Sequence, residues 1–502
     1  MVFGQRIKSL LLLFTLQYPF KSGGVLGFEA TWESLDSRPL PNWYDEAKFG
    51  IFIHWGVFSV PSYKGEWFWQ KWGRNGDAPS TNQATEEIKA FVNKTELPQF
   101  AYADYAHRFD ATLYDPEHWA GVFAQSGAQY VVLTSKHHEG FCNWDSRQAV
   151  PTSWNWNSVE VGPKRDLVGE LAHSVKKTMS NQTQKPLRFG LYHSLYEWFN
   201  PLYEHDKANK FQSQTFVKLK TMPELYDIVE KYQPEVIWSD GDWDAHSDYW
   251  DSKQFLAWYA TNSTVAKTGV WNDRWGKDAM CHHGSFLTCQ DRYLPDKINH
   301  HKWENALTIT SQSWGYDRSL TLKSYYTAEY LIHALIQTVA YNGNMLLNVG
   351  PRADGTLDPI FEERLTEIGS WLSVNGDAIY GSRPWNHTQH EPASKVFYTV
   401  SQQNKVLYAL FTEWPEDSKL QLKSPVPTES TKVHMLGLPS ARKESIDLRW
   451  SHRGEASKAG MTIQLPALTP RNIPCQYAWI LALTGIGNLG EEDVAEEESV
   501  VS

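Results

Sequence analysis

The run Val236-Ile237-Trp238-Ser239-Asp240-Gly241-Asp242-Trp243-Asp244 climbs through apolar residues and stops at a carboxylate followed by glycine. At the end of a buried parallel strand, Asp240 would point into the face where a barrel of such strands carries its chemistry. The glycine lets the backbone turn and a ligand approach, and the neighbouring indoles offer flat apolar faces to a sugar ring. A carboxylate in that setting is what glycoside hydrolysis needs from a nucleophile. The bland alternative is a solvated acidic turn.

Five further clusters carry polar chemistry. They are Phe52-Ile53-His54-Trp55-Gly56, Gly65-Glu66-Trp67-Phe68-Trp69, Lys136-His137-His138-Glu139-Gly140-Phe141 and Gly190-Leu191-Tyr192-His193-Ser194. The fifth runs from Trp271-Asn272-Asp273-Arg274-Trp275 through Gln290-Asp291 to His301-Lys302-Trp303-Glu304. Imidazole, carboxylate and phenol groups together can hydrogen-bond the hydroxyls of a monosaccharide, and that task needs no metal. A single histidine is more often a satisfied structural residue. The adjacent His137 and His138 are harder to explain in that way.

To bring these clusters together, the chain needs parallel strands with their C-terminal ends on one face. Strand-like runs span Phe49 to His54, Tyr130 to Ser135, Leu187 to His193, Glu235 to Asp240, Thr268 to Asn272 and Asn344 to Val349. Amphipathic stretches lie between them: Leu167 to Thr178, Met222 to Lys231 and Ala328 to Val339. This alternation predicts an α/β fold with a parallel sheet. After Pro384 the pattern changes to successive strands, Lys395–Ser401, Lys405–Thr412, Lys432–Leu436, Met461–Leu465 and Tyr477–Leu483, which predict an all-β sandwich. The Glu-rich stretch from Gly490 to Ser502 has little to bury and is expected to be disordered. The predicted divisions are a leader at 1–27, a barrel at 28–384, a sandwich at 385–487 and an acidic tail at 488–502.

The 502 residues suffice for a barrel and a smaller second domain, and the 24 tryptophans suit either carbohydrate stacking or a large core. A net charge of −11 without a Lys/Arg stripe argues against a nucleic-acid partner. Arg6, Lys8 and the short apolar run Leu10 to Leu16 read as a secretory leader, too short to span a bilayer, and no later segment is long enough. A membrane is therefore not an expected partner. Sequons at Asn93, Asn181, Asn262 and Asn386 agree with passage through the secretory pathway. Cys281 and Cys289 are close enough to clip a local loop and are predicted to pair, with Cys142 and Cys475 free and buried. The alternative, a zinc site from Cys281, His282, His283 and Cys289, lacks any supporting spacing.

Taken together, Trp238-Ser239-Asp240-Gly241, His54-Trp55-Gly56, Gly65-Glu66-Trp67, Lys136 to Phe141 and Asn272-Asp273-Arg274-Trp275-Gly276 resemble the retaining α-L-fucosidases, closest to the animal lysosomal or secreted branch. The resemblance extends from about Trp32 to the β-domain. It implies a (β/α)8-like barrel followed by a C-terminal β-sandwich, and hydrolysis of terminal α-L-fucose from fucosylated glycans with retention and without a cofactor. It is compatible with a homo-oligomer. It implies that Asp240 is the nucleophile and that His54, Glu66, Trp67, His137, His138, Tyr192, Trp238 and Arg274 hold the fucose ring. Two residues compete for the acid/base role. Asp291 is favoured, on a loop fixed by the Cys281–Cys289 bridge, and Glu304 is the alternative or a buried support for that loop. The chain departs from the family pattern at Ala306, where a cysteine is usual, and at Gln290, where relatives often have glutamate.

Overall fold

The computed structural model describes residues 27–74, 76–79, 82–150, 156–401, 403–438, 447–453 and 459–489. The expected leader, apart from Gly27, and the stretch from Gly490 to Ser502 lie outside the described residues.

Seven parallel strands form the first sheet: β1 (Phe49–Ile53), β2 (Tyr130–Lys136), β3 (Arg188–Ser194), β4 (Val236–Asp240), β5 (Val270–Trp271), β6 (Trp303–Thr308) and β7 (Gly343–Val349), in the order β5-β4-β3-β2-β1-β7-β6. Side chains alternate between two faces, as the pleat requires. Phe52, Tyr130, Val132, Tyr192, Trp238, Ala306 and Leu346 pack with one another on the inner face. Ile51, Leu133, Leu191, Ile237 and Leu347 join the outer core, where the helices contribute Phe123, Leu171, Ile228 and Leu335. The strands are buried on both faces, which is why they read as nearly unbroken apolar runs.

No regular eighth strand joins β5 to β6 among the described residues. Instead, the amides of Ser285 and Phe286 donate to the Trp271 carbonyl at 3.0 and 3.4 Å, while the Leu287 amide donates to Lys302 at 2.9 Å. Glu304 returns a bond to the Leu287 carbonyl at 2.8 Å, and Phe286 enters the inner core. This short segment bridges the two edges, and the curled sheet with its helices is TIM-like.

Capping residues start the helices where the sequence changes from loop to amphipathic pattern. Asp115 accepts from the Glu117 and His118 amides ahead of Pro116–Gln125, Asp166 caps Leu167–Lys177, Thr327 caps Ala328–Ala340 and Asp358 caps Pro359–Asn375. The expected stretch at Met222 is a helix over Met222–Tyr232. Within the parallel sheet two strand expectations need correction: the run at Thr268 to Asn272 shortens to Val270–Trp271, and β6 was not among the expected strands.

The C-terminal region contains β8 (Arg383–Pro384), β9 (His390–Glu391), β10 (Val396–Ser401), β11 (Val406–Phe411), β12 (Lys419–Leu422), β13 (Pro427–Met435), β14 (Trp450–His452), β15 (Met461–Gln464) and β16 (Trp479–Ile486). One antiparallel sheet runs β13-β16-β11-β10-β8 with β9 beside β10, and a second runs β12-β15-β14. Tyr398, Leu407, Ala409, Leu481 and Leu483 of the first sheet share a core with Leu420, Leu422, Met461 and Ile463 of the second. This is a sandwich. Phe397, Tyr408 and Ile480 turn the other way into the barrel's core, and the Trp371 indole N–H donates to the Ala478 carbonyl at 2.9 Å. No helix of the described residues is long and apolar enough to cross a membrane.

Candidate active site

A pocket opens where β1 to β4 end. His54 follows β1, His137 and His138 follow β2, Tyr192 lies on β3, and Trp238 and Asp240 lie on β4. With Glu66, Trp67, Arg274 and Asp291 they line one cavity, together with Phe52, Trp243 and Trp314. Trp314 carried no signal in the sequence beyond its hydrophobicity, Phe52 was visible only as the apolar residue two before His54, and Trp243 only as an indole near Asp240.

Asp240 sits almost wholly buried at its strand end. Its Oδ2 accepts the Tyr192 phenol at 2.8 Å, and its Oδ1 accepts Arg274 Nη1 at 3.1 Å. His138 Nε2 lies 3.4 Å from Oδ2. Burial alone would raise this carboxyl's pKa, but the bond from His138, the Arg274 charge and the Tyr192 phenol hold it far below the usual carboxylate range. The Ser194 hydroxyl donates to the Tyr196 carbonyl at 2.7 Å, so it accepts His138 Nδ1–H at 2.7 Å and aims Nε2 at Asp240. Next to Asp240, Gly241 has φ +77°, and a Cβ there would lie 2.2 Å from the Tyr196 ring. Only glycine fits this turn.

The His54 and His137 imidazoles stay neutral. Asn348 donates through Nδ2 to the Trp314 carbonyl at 2.7 Å, which turns its Oδ1 to accept His54 Nδ1–H at 2.7 Å. Burial, and then His137, lowers His54 to about 3, so its Nε2 presents a lone pair to the cavity. Burial also pushes His137 well down and its partner Glu139, 3.2 Å from Nδ1, up to about 8. Glu66 is fixed from an unexpected quarter: its Oε2 accepts the backbone amides of Trp314 and Gly315, both at 3.0 Å. Rings frame the mouth, with Trp67 stacked beside Trp243 at 6.4 Å between centroids and tilted against Trp198 at 5.1 Å.

Arg274 ties the two sides of the site together. Its Nη1 donates to Asp240, its Nη2 donates to Asp291 Oδ1 at 2.7 Å, and its plane lies over the Trp238 indole at 4.7 Å. Asp291 is 43 % exposed, in contact with both pocket and solvent. Glu304 is fully buried and does not line the pocket: Oε2 accepts the Tyr44 and Tyr130 phenols at 2.7 and 2.6 Å, and Oε1 accepts the Trp238 indole N–H at 2.9 Å. Burial raises its pKa. Its side chain holds the Trp238 ring, and its backbone amide donates to the Leu287 carbonyl at 2.8 Å, in the segment that leads to Asp291.

Cys281 and Cys289 are joined in a disulfide, so neither sulfur is available as a thiolate metal ligand. Cys142 is free and buried, whereas Cys475, expected to be buried, is free and only partly so. Asn93, Asn181 and Asn386 are exposed, and Asn262 is half-buried just past the helix Ser252–Thr261.

A family model described as alpha-L-fucosidase matches residues 22–377, and one described as the alpha-L-fucosidase C-terminal domain matches 389–484. The chain is 48 % identical to the tissue alpha-L-fucosidase of Mus musculus over 91 % of this chain and 95 % of that protein. It is 45 % identical to the plasma alpha-L-fucosidase of Homo sapiens, over 91 % and 93 % of the two chains. Among solved structures, the Thermotoga maritima alpha-fucosidase in complex with fucose is similar with a TM-score of 0.72 and 29 % identity, covering 91 % of this chain and 100 % of that one.

Proposed function

The chain belongs to the α-L-fucosidase family of glycoside hydrolases, and we propose that it removes terminal α-L-fucose from glycoproteins, glycolipids or oligosaccharides by a retaining double displacement. The observation that carries this reading is the Arg274 bridge, which holds Asp240 and Asp291 by the two terminal nitrogens of one guanidinium at the same cavity. Such a bridge favours the close spacing of a retaining pair, about 5–5.5 Å.

Asp240, kept ionised, attacks the anomeric carbon and forms a fucosyl ester. Asp291 gives its proton to the departing glycosidic oxygen, then takes one from the water that hydrolyses the ester. His54 Nε2 and Glu66 accept hydroxyl protons of the sugar, His137, His138 and Tyr192 complete the polar wall, and Trp67 and Trp238 pack its apolar face. None of these steps calls on a cofactor. Glu304 serves as a support for Trp238. In the same reading the chain divides at 27, 384 and 487 into leader, catalytic barrel, sandwich and acidic tail. We further read it as a protein of the secretory pathway, lysosomal or secreted. Its leader-like start, its four sequons and its likeness to tissue and plasma enzymes support this.

The test is hydrolysis of 4-nitrophenyl α-L-fucoside by the wild type, Asp240→Gly, Asp291→Ala and Glu304→Ala, with and without azide. The reading expects β-fucosyl azide from Asp240→Gly and α-fucosyl azide from Asp291→Ala, with no azide rescue of Glu304→Ala. Rescue of Glu304→Ala in place of Asp291→Ala would reverse the acid/base assignment.

A further inference from the structure

Asp273 stands between β5 and Arg274, fully buried, and accepts four hydrogen bonds. Its Oδ2 takes the amides of Cys281 and Cys289 at 2.8 and 3.0 Å, one from each end of the disulfide loop. Its Oδ1 takes the amide of Thr288 at 2.9 Å and the Thr288 hydroxyl at 2.5 Å. Having donated its proton to Asp273, that hydroxyl accepts Arg274 Nε at 3.0 Å. The middle of the loop is held by the amides of Ser285 and Phe286 to Trp271 and of Leu287 to Lys302, whereas its two cysteine ends are gathered by Asp273. Cys281, Cys289 and Arg292 all have positive φ, at 63, 51 and 55°, conformations that L-residues adopt only when their surroundings impose them. Asp291 is clamped between two of these residues. On its far side, Arg292 is pinned to β6 by its amide to the Ala306 carbonyl at 3.0 Å and by its Nη2 to the Thr308 hydroxyl at 3.1 Å.

We propose that Asp273 is a positioning residue for the hydrolytic reaction: through the disulfide loop and Thr288 it sets Asp291 and Arg274 in register with each other and with Asp240. The proposal rests on the reading of Asp291 as the acid/base. Only a carboxylate suits the place, because four donors converge on it. An amide of the same shape offers one acceptor oxygen and turns an N–H₂ group against two of those donors, leaving buried amides unpaired. The loop would then shift and carry Asp291 with it. A displacement of about 1 Å costs on the order of 10²-fold in rate.

Leaving-group dependence tests this, because protonation matters for a poor leaving group and not for fluoride. The values of kcat/KM would be measured on phenyl α-L-fucoside and on α-L-fucosyl fluoride for Asp273→Asn, Thr288→Val, Thr288→Ser and Asp291→Ala. The expected result is a loss of about 10²-fold for Asp273→Asn on the phenyl fucoside beyond any loss on the fluoride, the size of a general-acid contribution. Thr288→Val should show the same bias more weakly, and Thr288→Ser, which keeps the hydroxyl, should restore near-normal ratios. Equal losses on both substrates in Asp273→Asn, or in Thr288→Val should the first variant not fold, would reduce Asp273 to a structural residue and overturn the proposal. If Asp291→Ala itself shows no leaving-group bias, the acid/base reading fails and the proposal falls with it.

Discussion

Glu304 accepts the indole N–H of Trp238 at 2.9 Å, so a carboxylate that sequence alone made a candidate acid holds in place a ring that lines the pocket. Glu304→Gln is expected to cost about 1–3 kcal/mol of stability, since the amide cannot accept from all three donors at once. Its kcat/KM should fall alike for good and poor leaving groups. A selective loss on poor leaving groups would return Glu304 to the catalytic pair.

Stability should depend on pH through two opposed sets of buried groups. Burial, then the Asp240 charge, raises Asp242 from 3.8 to about 7, and burial raises Glu139 from 4.5 to about 8. Folded, each holds a proton its unfolded form has released, so this contribution is complete below the unfolded values and disappears as pH rises through about 7 and 8. Burial, then His137, lowers His54 from 6.5 to about 3, and burial, then Lys136, lowers His193 to about 4. These contribute above the unfolded value and lose their contribution as pH falls through the folded ones. The slopes oppose each other in mildly acidic solution, so Tm should be flat there and fall toward pH 8. Asp242→Asn should gain on the wild type as pH rises from 5 to 8, and a Tm difference that ignores pH would reject the assignment.

In the proposed mechanism activity should peak at acidic pH, because the acid/base must carry a proton to the leaving oxygen while Asp240 is ionised for the attack. A kcat/KM for phenyl α-L-fucoside that continues to rise beyond neutrality would contradict this order of roles.

Trp243 is 40 % exposed at the mouth of the cavity, beside Trp67 and against Tyr196 at 5.4 Å. Trp243→Ala should weaken contact with whatever sugar carries the fucose, at about 1 kcal/mol or roughly five-fold in kcat/KM. The loss should appear on a fucosyl disaccharide and be smaller on fucosyl fluoride, whose leaving group is too small to reach the ring.

Replacing Cys281 and Cys289 together by serine should lower stability by about 2–3 kcal/mol, the amount expected for a short closed loop. Activity at 25 °C should fall less than in Asp273→Asn, since the four bonds to Asp273 remain. Thermal melts paired with kcat/KM separate the two effects.

Much of this was legible in the sequence, for reasons that also mark its limits. Asp240 stood out because an apolar strand ending in Asp-Gly is a local signal, and His54, His137 and His138 follow their strands in the same way. Strand β6 was hidden because its inward residue Glu304 is polar, and the phenols that satisfy it come from Tyr44 and Tyr130, far away in the chain. Trp314 and the clamp on Glu66 were hidden because backbone amides make that contact, and any residue supplies an amide. The segment around Phe286 was hidden because it has too few residues to show a period.

That segment also separates two jobs that regular strands usually combine. The residues proposed to grip the sugar ring stand mostly on or directly after β1 to β4, in a lattice where moving one strand moves its neighbours. Asp291 instead hangs from a tethered loop beside the irregular closure, anchored by Asp273 on one side and Arg292 on the other. Insertions and deletions there would leave the ladder of β1 to β4 intact. Under the roles proposed above, such a chain is free over evolutionary time to relocate its proton donor and so retune which glycosidic bonds it cleaves, while its preference for the sugar itself stays fixed.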